Sequence, residues 1–320
     1  MTGTALLTLT KAGLYCPAGD FHIDPSRPVP RALVTHGHSD HASRGHGAYL
    51  TAAAALPVIR HRLGRLNAEG LQFGTSRQIG DVSVSFHPAG HVPGSAQIRV
   101  EHRGEVWVVS GDYKLEDDGL CEAFEPVACH SFISECTFGL PIFRWQPQGA
   151  VLAQIADWWQ ANSASGKVSI LAAYAFGKAQ RVMAGLAGNG PILTHPAVEA
   201  VTNVLRGQGY ALPPTVEVTG AVSARSHPGA LVIAPQTALN SGWADAFAPS
   251  ETAFASGWMA LVARRRGLSR GFVLSDHADW PGLLQVVRAT GASRVLATHG
   301  YSTAFARHLC DLGLQAEVLA

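Results

Sequence analysis

The sequence predicts an α/β protein whose short strands end in polar, histidine-bearing turns, with a second and smaller α/β unit set into its middle. Three observations lead there. Residues 1–140 read as short apolar runs separated by turns. After Pro141 short strands alternate with helical segments, the pattern of a small parallel unit. From Gly271 strand and helix alternate again to the end. The expected division is residues 1–140 with 271–320 as one domain and residues 141–270 as an insertion.

Taken in order, residues 6–10 and 21–24 are expected strands, parted by the turn Pro17-Ala18-Gly19-Asp20. Residues 31–35 form a short apolar strand that stops at His36 and so delivers side chains to a sheet edge. Residues 51–66, rich in Ala and Leu, predict a helix with Arg60, Arg62 and Arg65 on its solvated side. Residues 82–87 alternate like a half-buried strand, and residues 105–110 and 132–135 are apolar runs of strand length. In the insertion, residues 150–160 and 178–186 predict helices. Residues 168–173, 192–195, 216–218, 231–234 and 254–256 predict strands. The last part reads strand 272–274, helix 281–289, strand 295–298, helix 303–312, with no internal repeat and no low-complexity linker along the chain.

Apolar residues make up 47% and charged residues 15%, enough for a buried core and too few charges for disorder. The formal net charge of +1 argues against a protein that coats nucleic acid by electrostatics alone, but not against an enzyme whose metal ions carry the positive charge. Five cysteines, an odd number without a CxxC pair, make a disulfide framework unexpected and a reducing cytoplasm the expected compartment. The opening Met1-Thr2-Gly3-Thr4 lacks a basic segment followed by an apolar core, and no apolar stretch reaches membrane-spanning length.

The chemistry concentrates in Thr35-His36-Gly37-His38-Ser39-Asp40-His41, where three His and one Asp follow a strand. Imidazole and carboxylate are ligands that zinc and manganese accept. His36 and His38 alternate and so share a side of an extended segment, while Asp40 and His41, beyond a turn, can face a second ion. Three later positions suit the same site: His91 in Gly90-His91-Val92-Pro93-Gly94, Asp112 after Ser110-Gly111, and His299 in Thr298-His299-Gly300. A lone His in such a turn is more often structural; these gain weight as a set.

In these motifs and their order the chain resembles the metallo-β-lactamase superfamily, an αββα sandwich with metals at one edge of two sheets. Asp24 in Phe21-His22-Ile23-Asp24 matches that family's first acidic motif. The resemblance implies that His36, His38 and His91 hold one metal, that Asp40, His41 and His299 hold the other, and that Asp112 bridges them. Ser134-Glu135-Cys136-Thr137-Phe138-Gly139, Ser275-Asp276-His277-Ala278-Asp279 and Thr298-His299-Gly300 resemble the three further motifs of the nucleic-acid-processing β-CASP group. The stretch Ala172 to Gln180 resembles the one that opens that group's inserted domain, with Lys178 where Arg is usual. The insertion is short for an RNA-cleaving member. The nearest overall resemblance is to the bacterial ligase-associated DNA exonucleases, often labelled mRNA 3′-end processing factors.

The resemblance implies a reduced β-CASP-like insertion, two divalent ions (Zn2+, with Mn2+ accepted by the same ligands) and a DNA exonuclease in repair. It further implies association with an ATP-dependent DNA ligase and a helicase. His277 is the expected general acid, Glu135 its orienting carboxylate, and Asp40 counts among both metal ligands and catalytic residues. Asp24 is expected to hydrogen-bond a ligand histidine and fix its tautomer. Lys178 reads either as an ordinary cation at a helix start or as a contact to a substrate phosphate. Arg264-Arg265-Arg266 with Arg270 reads as a solvated face or a channel wall, and Trp145, Trp158, Trp159, Trp243 and Trp258 as core or as stacking surfaces for bases. Cys136 has no base beside it to make it a nucleophile. The alternatives are the same chemistry on RNA, a small-molecule ester or thioester hydrolase, and a non-catalytic module with a decayed metal site.

Overall fold

Period-two burial along short strands builds both halves of this protein. The computed structural model describes residues 5–220, 222, 226–262 and 270–319. The chain divides into two compact units, Met1–Arg144 with His277–Ala320, and Trp145–Asp276. The opening Met1-Thr2-Gly3-Thr4 and the Arg264-Arg265-Arg266 run lie outside the described residues.

The first unit begins with β1 (Thr8–Thr10), β2 (Gly13–Cys16), β3 (Phe21–Ile23), β4 (Arg31–Val34), β5 (Ala48–Ala52), α1 (Leu56–Leu63) and β6 (Ala68–Leu71). These six strands form one sheet in sequence order. Next come β7 (Arg77–Ile79), β8 (Val82–Pro88), β9 (Ala96–His102), β10 (Glu105–Val109) and β11 (Ser131–Glu135).

The second unit holds α2 (Gln148–Ala164), β12 (Val168–Ala172), α3 (Lys178–Gly185), β13 (Ile192–Thr194), α4 (Pro196–Gly207), β14 (Val216–Glu217), β15 (Leu231–Ala234), α5 (Gln236–Leu239), β16 (Ser250–Ala255), α6 (Met259–Val262) and β17 (Arg270–Phe272). Its strands pair in parallel in the order β14-β13-β15-β12-β16-β17. The chain then adds α7 (Trp280–Thr290), β18 (Arg294–Thr298), α8 (Ser302–Asp311) and β19 (Gln315–Val318) to the first unit. There the second sheet runs β19-β18-β11-β10-β9-β8-β7.

Side chains sort themselves by parity. On β10, Trp107 and Val109 join a core shared with Phe21, Leu33 and Val34 of the first sheet, while Val106 and Val108 face the other way. Ile133 and Leu296 follow the first pair; Phe132, Val295 and Ala297 follow the second, packing with Leu283 and Val287 of α7 and Phe305 and Leu309 of α8. Two sheets thus share one core, and two helices cover the far face of the second. Each fully buried aliphatic or aromatic side chain there contributes roughly 1.5–3 kcal/mol. The second unit repeats the scheme: Leu231 and Ile233 pack with Trp158 and Trp159 of α2, and Val168, Ile170 and Val232 pack with Phe247 on the opposite face.

The structure corrects one expected element. Residues 51–66 are not one helix: β5 occupies the start, paired in parallel with β4 through Ala32↔Tyr49, Leu33↔Leu50 and Val34↔Thr51. That pairing buries Tyr49 and Leu50, which outweighs the weak helix preference of the Ala run. The helix starts only at Leu56, with proline in its first turn. Arg62, expected on the solvated side, is half-buried and donates to the carbonyl of Gly37. Among the described residues no helix is long and apolar enough to cross a membrane.

Candidate metal centre

Carboxyl ends of strands from both sheets deliver the candidate ligands. β4 runs into His36, β8 into His91, β10 into Asp112 and β18 into His299, while Glu135 is the last residue of β11. β10, β11 and β18 pair in parallel. β8 points the same way, because it is antiparallel to β9 and β9 to β10. The first sheet joins this edge through Ala96 N, which donates to Thr35 O at 2.9 Å.

Short polar contacts hold the connecting turns. Ser95 Oγ accepts the amides of His91 and Val92 at 3.0 and 3.2 Å, and Ala89 O accepts Lys114 N at 3.0 Å. The His91 turn is thereby tied to the segment carrying Asp112. Gly111 has φ +55, and a Cβ there would stand 2.8 Å from Thr35 Cβ, so glycine lets these strand ends approach. His299 is a non-glycine residue at φ 60, an uncommon conformation that occurs at constrained functional positions.

Ligating atoms converge in three overlapping groups: His36, His38, His91 and Asp112; His41, Asp112 and His299; and Asp112, Glu135 and His277. His38 Nδ1 lies 3.1 Å from both His36 Nε2 and His91 Nε2. Asp112 Oδ2 lies 3.6 Å from each of those two Nε2 atoms and 3.4 Å from His41 Nε2. A tetrahedral ion with Zn–N bonds of about 2.0–2.1 Å sets its ligand atoms roughly 3.3 Å apart, so this spacing suits one. Two buried atoms here, His41 Nε2 and Asp112 Oδ1, have no hydrogen-bond partner. Buried polar groups are rarely left so, and a cation satisfies both. The donor set therefore fits divalent metal.

Burial and the cradle's own carboxylates set its electrostatics. Burial, then the neighbouring imidazole of His41, hold His36 well below its ordinary pKa, which keeps its lone pair available. Burial opposes charge on His41 too, but the carboxylates of Asp112 and Asp24 overcome it and raise the ring's pKa. Burial likewise opposes ionisation of Asp112, yet His41 and His277 bring its pKa well below the carboxylate range. Asp24 Oδ2 accepts from His41 Nδ1 at 2.7 Å and from Thr35 Oγ1 at 2.6 Å, and Asp24 Oδ1 accepts Thr35 N at 2.8 Å. That carboxylate fixes the ring so that Nε2 faces the centre.

His277 stands beside the cradle, its ring 4.7 Å from that of His91 and its Nδ1 2.9 Å from Glu135 Oε1. Asp40 belongs to none of the three groups: its side chain is 70% exposed and its Oδ2 lies 3.7 Å from His41 Nε2. Lys178 lies in the second unit, buried, with Nζ 3.0 Å from both Asp276 Oδ2 and Leu274 O. Arg181 joins the same Asp276. The ammonium proposed for a substrate phosphate is thus committed to an internal ion cluster. Burial and Glu135 push the Cys136 thiol far up, and its Sγ donates to the carbonyls of Thr298 and His299. It ties strands together and is no nucleophile.

Sequence reasoning assigned no role to Thr35, Ser95, Ser110 or Tyr113. Ser110 Oγ accepts Glu135 N at 3.0 Å, Tyr113 N donates to Glu135 Oε1 at 3.3 Å, and Tyr113 O accepts Ala278 N at 2.7 Å. Their only signal was adjacency to a ligand residue at a strand end.

Fold and site define an α/β protein with a buried His/Asp cradle suited to metal ions. The chain matches no family model. It is 34% identical over 311 residues to a protein of Opitutus terrae named Probable DNA ligase, an alignment covering 95% of this chain and 30% of that one. It is 25% identical over 193 residues to Ribonuclease TTHA0252 of Thermus thermophilus, covering 51% of this chain and 44% of that one. The chain therefore spans less than half the length of either relative. A solved structure of a protein of unknown function from Enterococcus faecalis V583 is similar with a TM-score of 0.61 at 11% identity, over 84% of this chain and 75% of that one. That likeness concerns the fold alone.

Proposed function

We propose that the chain is a two-metal nuclease of the metallo-β-lactamase fold, with the second unit as a reduced β-CASP-like insertion, hydrolysing phosphodiester bonds of DNA from an end. The observation that carries this reading is the placement of the Glu135–His277 pair against the same Asp112 that closes both histidine groups. A metal cradle alone suits many hydrolyses; a carboxylate-held imidazole beside it suits one with a leaving oxygen that must be protonated.

His36, His38, His91 and Asp112 would hold one ion, and Asp40, His41, His299 and Asp112 the other, with Zn2+ or Mn2+ as candidates. Bound there, the ions would supply an acidic water and positive charge against the phosphate. His277, its Nδ1 held by Glu135, presents its other ring nitrogen as general acid. As water adds to phosphorus and the P–O bond breaks, that nitrogen gives its proton to the leaving oxygen; the proton shed by the attacking water passes to solvent, from which the imidazole is reprotonated. Asp24 keeps His41 in the ligating tautomer throughout.

Similarity to a protein named for ribonuclease activity and to one named for DNA ligation supports a nucleic-acid substrate. DNA is favoured because 95% of this chain aligns within 30% of the ligase-named polypeptide, which would join the two activities in one chain. A DNA ligase is accordingly the expected associate; a helicase and a cytoplasmic setting are what the family resemblance implies. The similarity to the ribonuclease supports RNA as the second reading.

One panel decides between these. Metal-loaded protein is given 5′- and 3′-labelled single-stranded DNA, duplex DNA, RNA, a thioester and a β-lactam, with His277→Ala alongside. Shortening of DNA that depends on His277 is the expected result. Preferential cleavage of RNA would transfer the reading to RNA processing. Turnover of the small esters alone, indifferent to His277, would remove the nuclease reading altogether.

A further inference from the structure

The second unit contains a cavity of about 750 Å³ at the carboxyl ends of β12, β15 and β16. Its position follows from topology. From β12 the chain passes to β13 on the β15 side of the sheet; from β16, the other neighbour of β12, it passes to β17 in the opposite direction. Neighbouring parallel strands whose connections diverge leave a crevice beyond their carboxyl ends, and open α/β sheets bind ligands there. Tyr174 follows β12, Gln236 follows β15, and Ser256 and Trp258 follow β16; all line the cavity.

The lining selects a chemical class. Among the described residues the lining side chains carry no formal charge, so it is the neutral part of a ligand that these side chains can seat. Ala173, Phe254, Ala255 and Met259 supply apolar walls. Tyr174 is 64% exposed and Trp258 40% exposed, whereas Trp158 and Trp159 of the same unit are buried at 5% and 2%. The Lys178 ammonium lies 5.6 Å from the centroid of the Tyr174 ring, and rings this exposed on one cavity can stack with a planar ligand. The amides of Gln236 and Asn240 each present a donor and an acceptor, which is what the edge of a nucleobase requires.

We propose that this cavity takes a nucleobase of single-stranded nucleic acid, stacked on Tyr174 or Trp258 with its polar edge toward Gln236 and Asn240, while the sugar-phosphate backbone stays outside. The proposal deepens the nuclease reading and rests on it for the class of polymer. It assigns the second unit a base-gripping role separate from the metal chemistry of the first.

The test uses the full metal-loaded chain and uncleavable phosphorothioate strands about 12 nucleotides long, either intact or carrying abasic residues. Intact strands should bind the wild type more tightly than abasic ones. Tyr174→Ala, Trp258→Ala and Gln236→Ala should each weaken intact-strand binding, on the order of tenfold for the aromatic pair, and leave abasic-strand binding unchanged. Trp258→Phe, which keeps a stacking ring, should recover most of the loss. Hydrolysis of bis(4-nitrophenyl) phosphate, which has no base, should be the same in all four variants and the wild type. Equal binding of intact and abasic strands would overturn the proposal, as would displacement of the strand by a maltooligosaccharide but not by a mononucleotide. If the phosphate diester is hydrolysed while binding ignores bases, the cavity proposal fails and the nuclease reading stands. Base-dependent binding without hydrolysis of any phosphodiester gives the reverse outcome.

Discussion

Glu135 Oε1 lies 2.9 Å from Nδ1 of His277, a residue 142 positions later in the chain, and the same carboxylate accepts the amides of Thr137 at 2.8 Å and Tyr113 at 3.3 Å. A buried carboxylate with three donors cannot swing away, so the imidazole it holds has one orientation. A general acid held in this way would contribute by position as much as by acidity.

His277→Ala should therefore reduce turnover on the order of 10²–10⁴-fold while the metal content per chain stays that of the wild type. Elemental analysis of the purified variant checks this. Because Asp112, Glu135 and His277 also form a group that could hold an ion, loss of metal in His277→Ala would make His277 a ligand and remove its role as acid.

Asp112→Asn should lower metal content. Asp112 Oδ2 is within 3.6 Å of three histidine nitrogens, and its Oδ1 is buried without a partner. An amide keeps the shape but loses the negative charge that would offset bound cations. A variant that kept the wild-type metal content in the same elemental analysis would end the bridging role proposed for Asp112.

Asp24→Asn should weaken metal affinity by roughly 10–100-fold without changing the ligands themselves. Its carboxylate holds His41 Nδ1 at 2.7 Å, and an amide can present its NH2 to that nitrogen and favour the wrong tautomer. Competition with a calibrated chelator reads the change; unaltered affinity would mean the contact serves the fold only.

In the second unit, Asp276→Asn should destabilise more than Lys178→Met. Lys178 and Arg181 share Asp276 as anion; neutralising it withdraws the carboxylate that both buried cations contact, a loss of about 3–5 kcal/mol. Removing Lys178 leaves a balanced Arg181–Asp276 pair and a milder loss. Urea unfolding compares the two. If Lys178→Met kept its stability and lost only oligonucleotide affinity, the substrate-phosphate role for Lys178 would return.

Glu199 makes the stability of the same unit depend on pH. Burial pushes its carboxyl pKa up, but hydrogen bonds from Thr194, Thr215 and Arg206 outweigh it and hold the pKa below the ordinary 4.5. A pKa depressed by folding stabilises the native state above the unfolded value and ceases to do so as pH falls through the folded one. Urea midpoints of the wild type should drop below about pH 4.5 more steeply than those of Glu199→Gln. Parallel curves for the two proteins would show that Glu199 carries no such linkage.

The sequence by itself determined the α/β character of both units and the local grouping of His36, His38 and His41, because strand periodicity and a ligand motif at a strand end are properties of a few adjacent residues. It also marked Asp112 and His299 at strand ends and His91 in a glycine-flanked turn, while Glu135 and His277 were marked by the family resemblance. That their ligating atoms lie within 4.8 Å of one another within each group is a property of the tertiary structure, since the parallel register of β10, β11 and β18 brings those ends together. Tertiary structure alone decided that residues 48–52 are a strand, that Arg62 serves the Gly37 carbonyl, and that Lys178 spends its charge on Asp276. In each case a partner distant in the chain outweighed local preference: a paired strand, an unsatisfied carbonyl or a buried carboxylate supplies more free energy than helix propensity or solvation offers at one position.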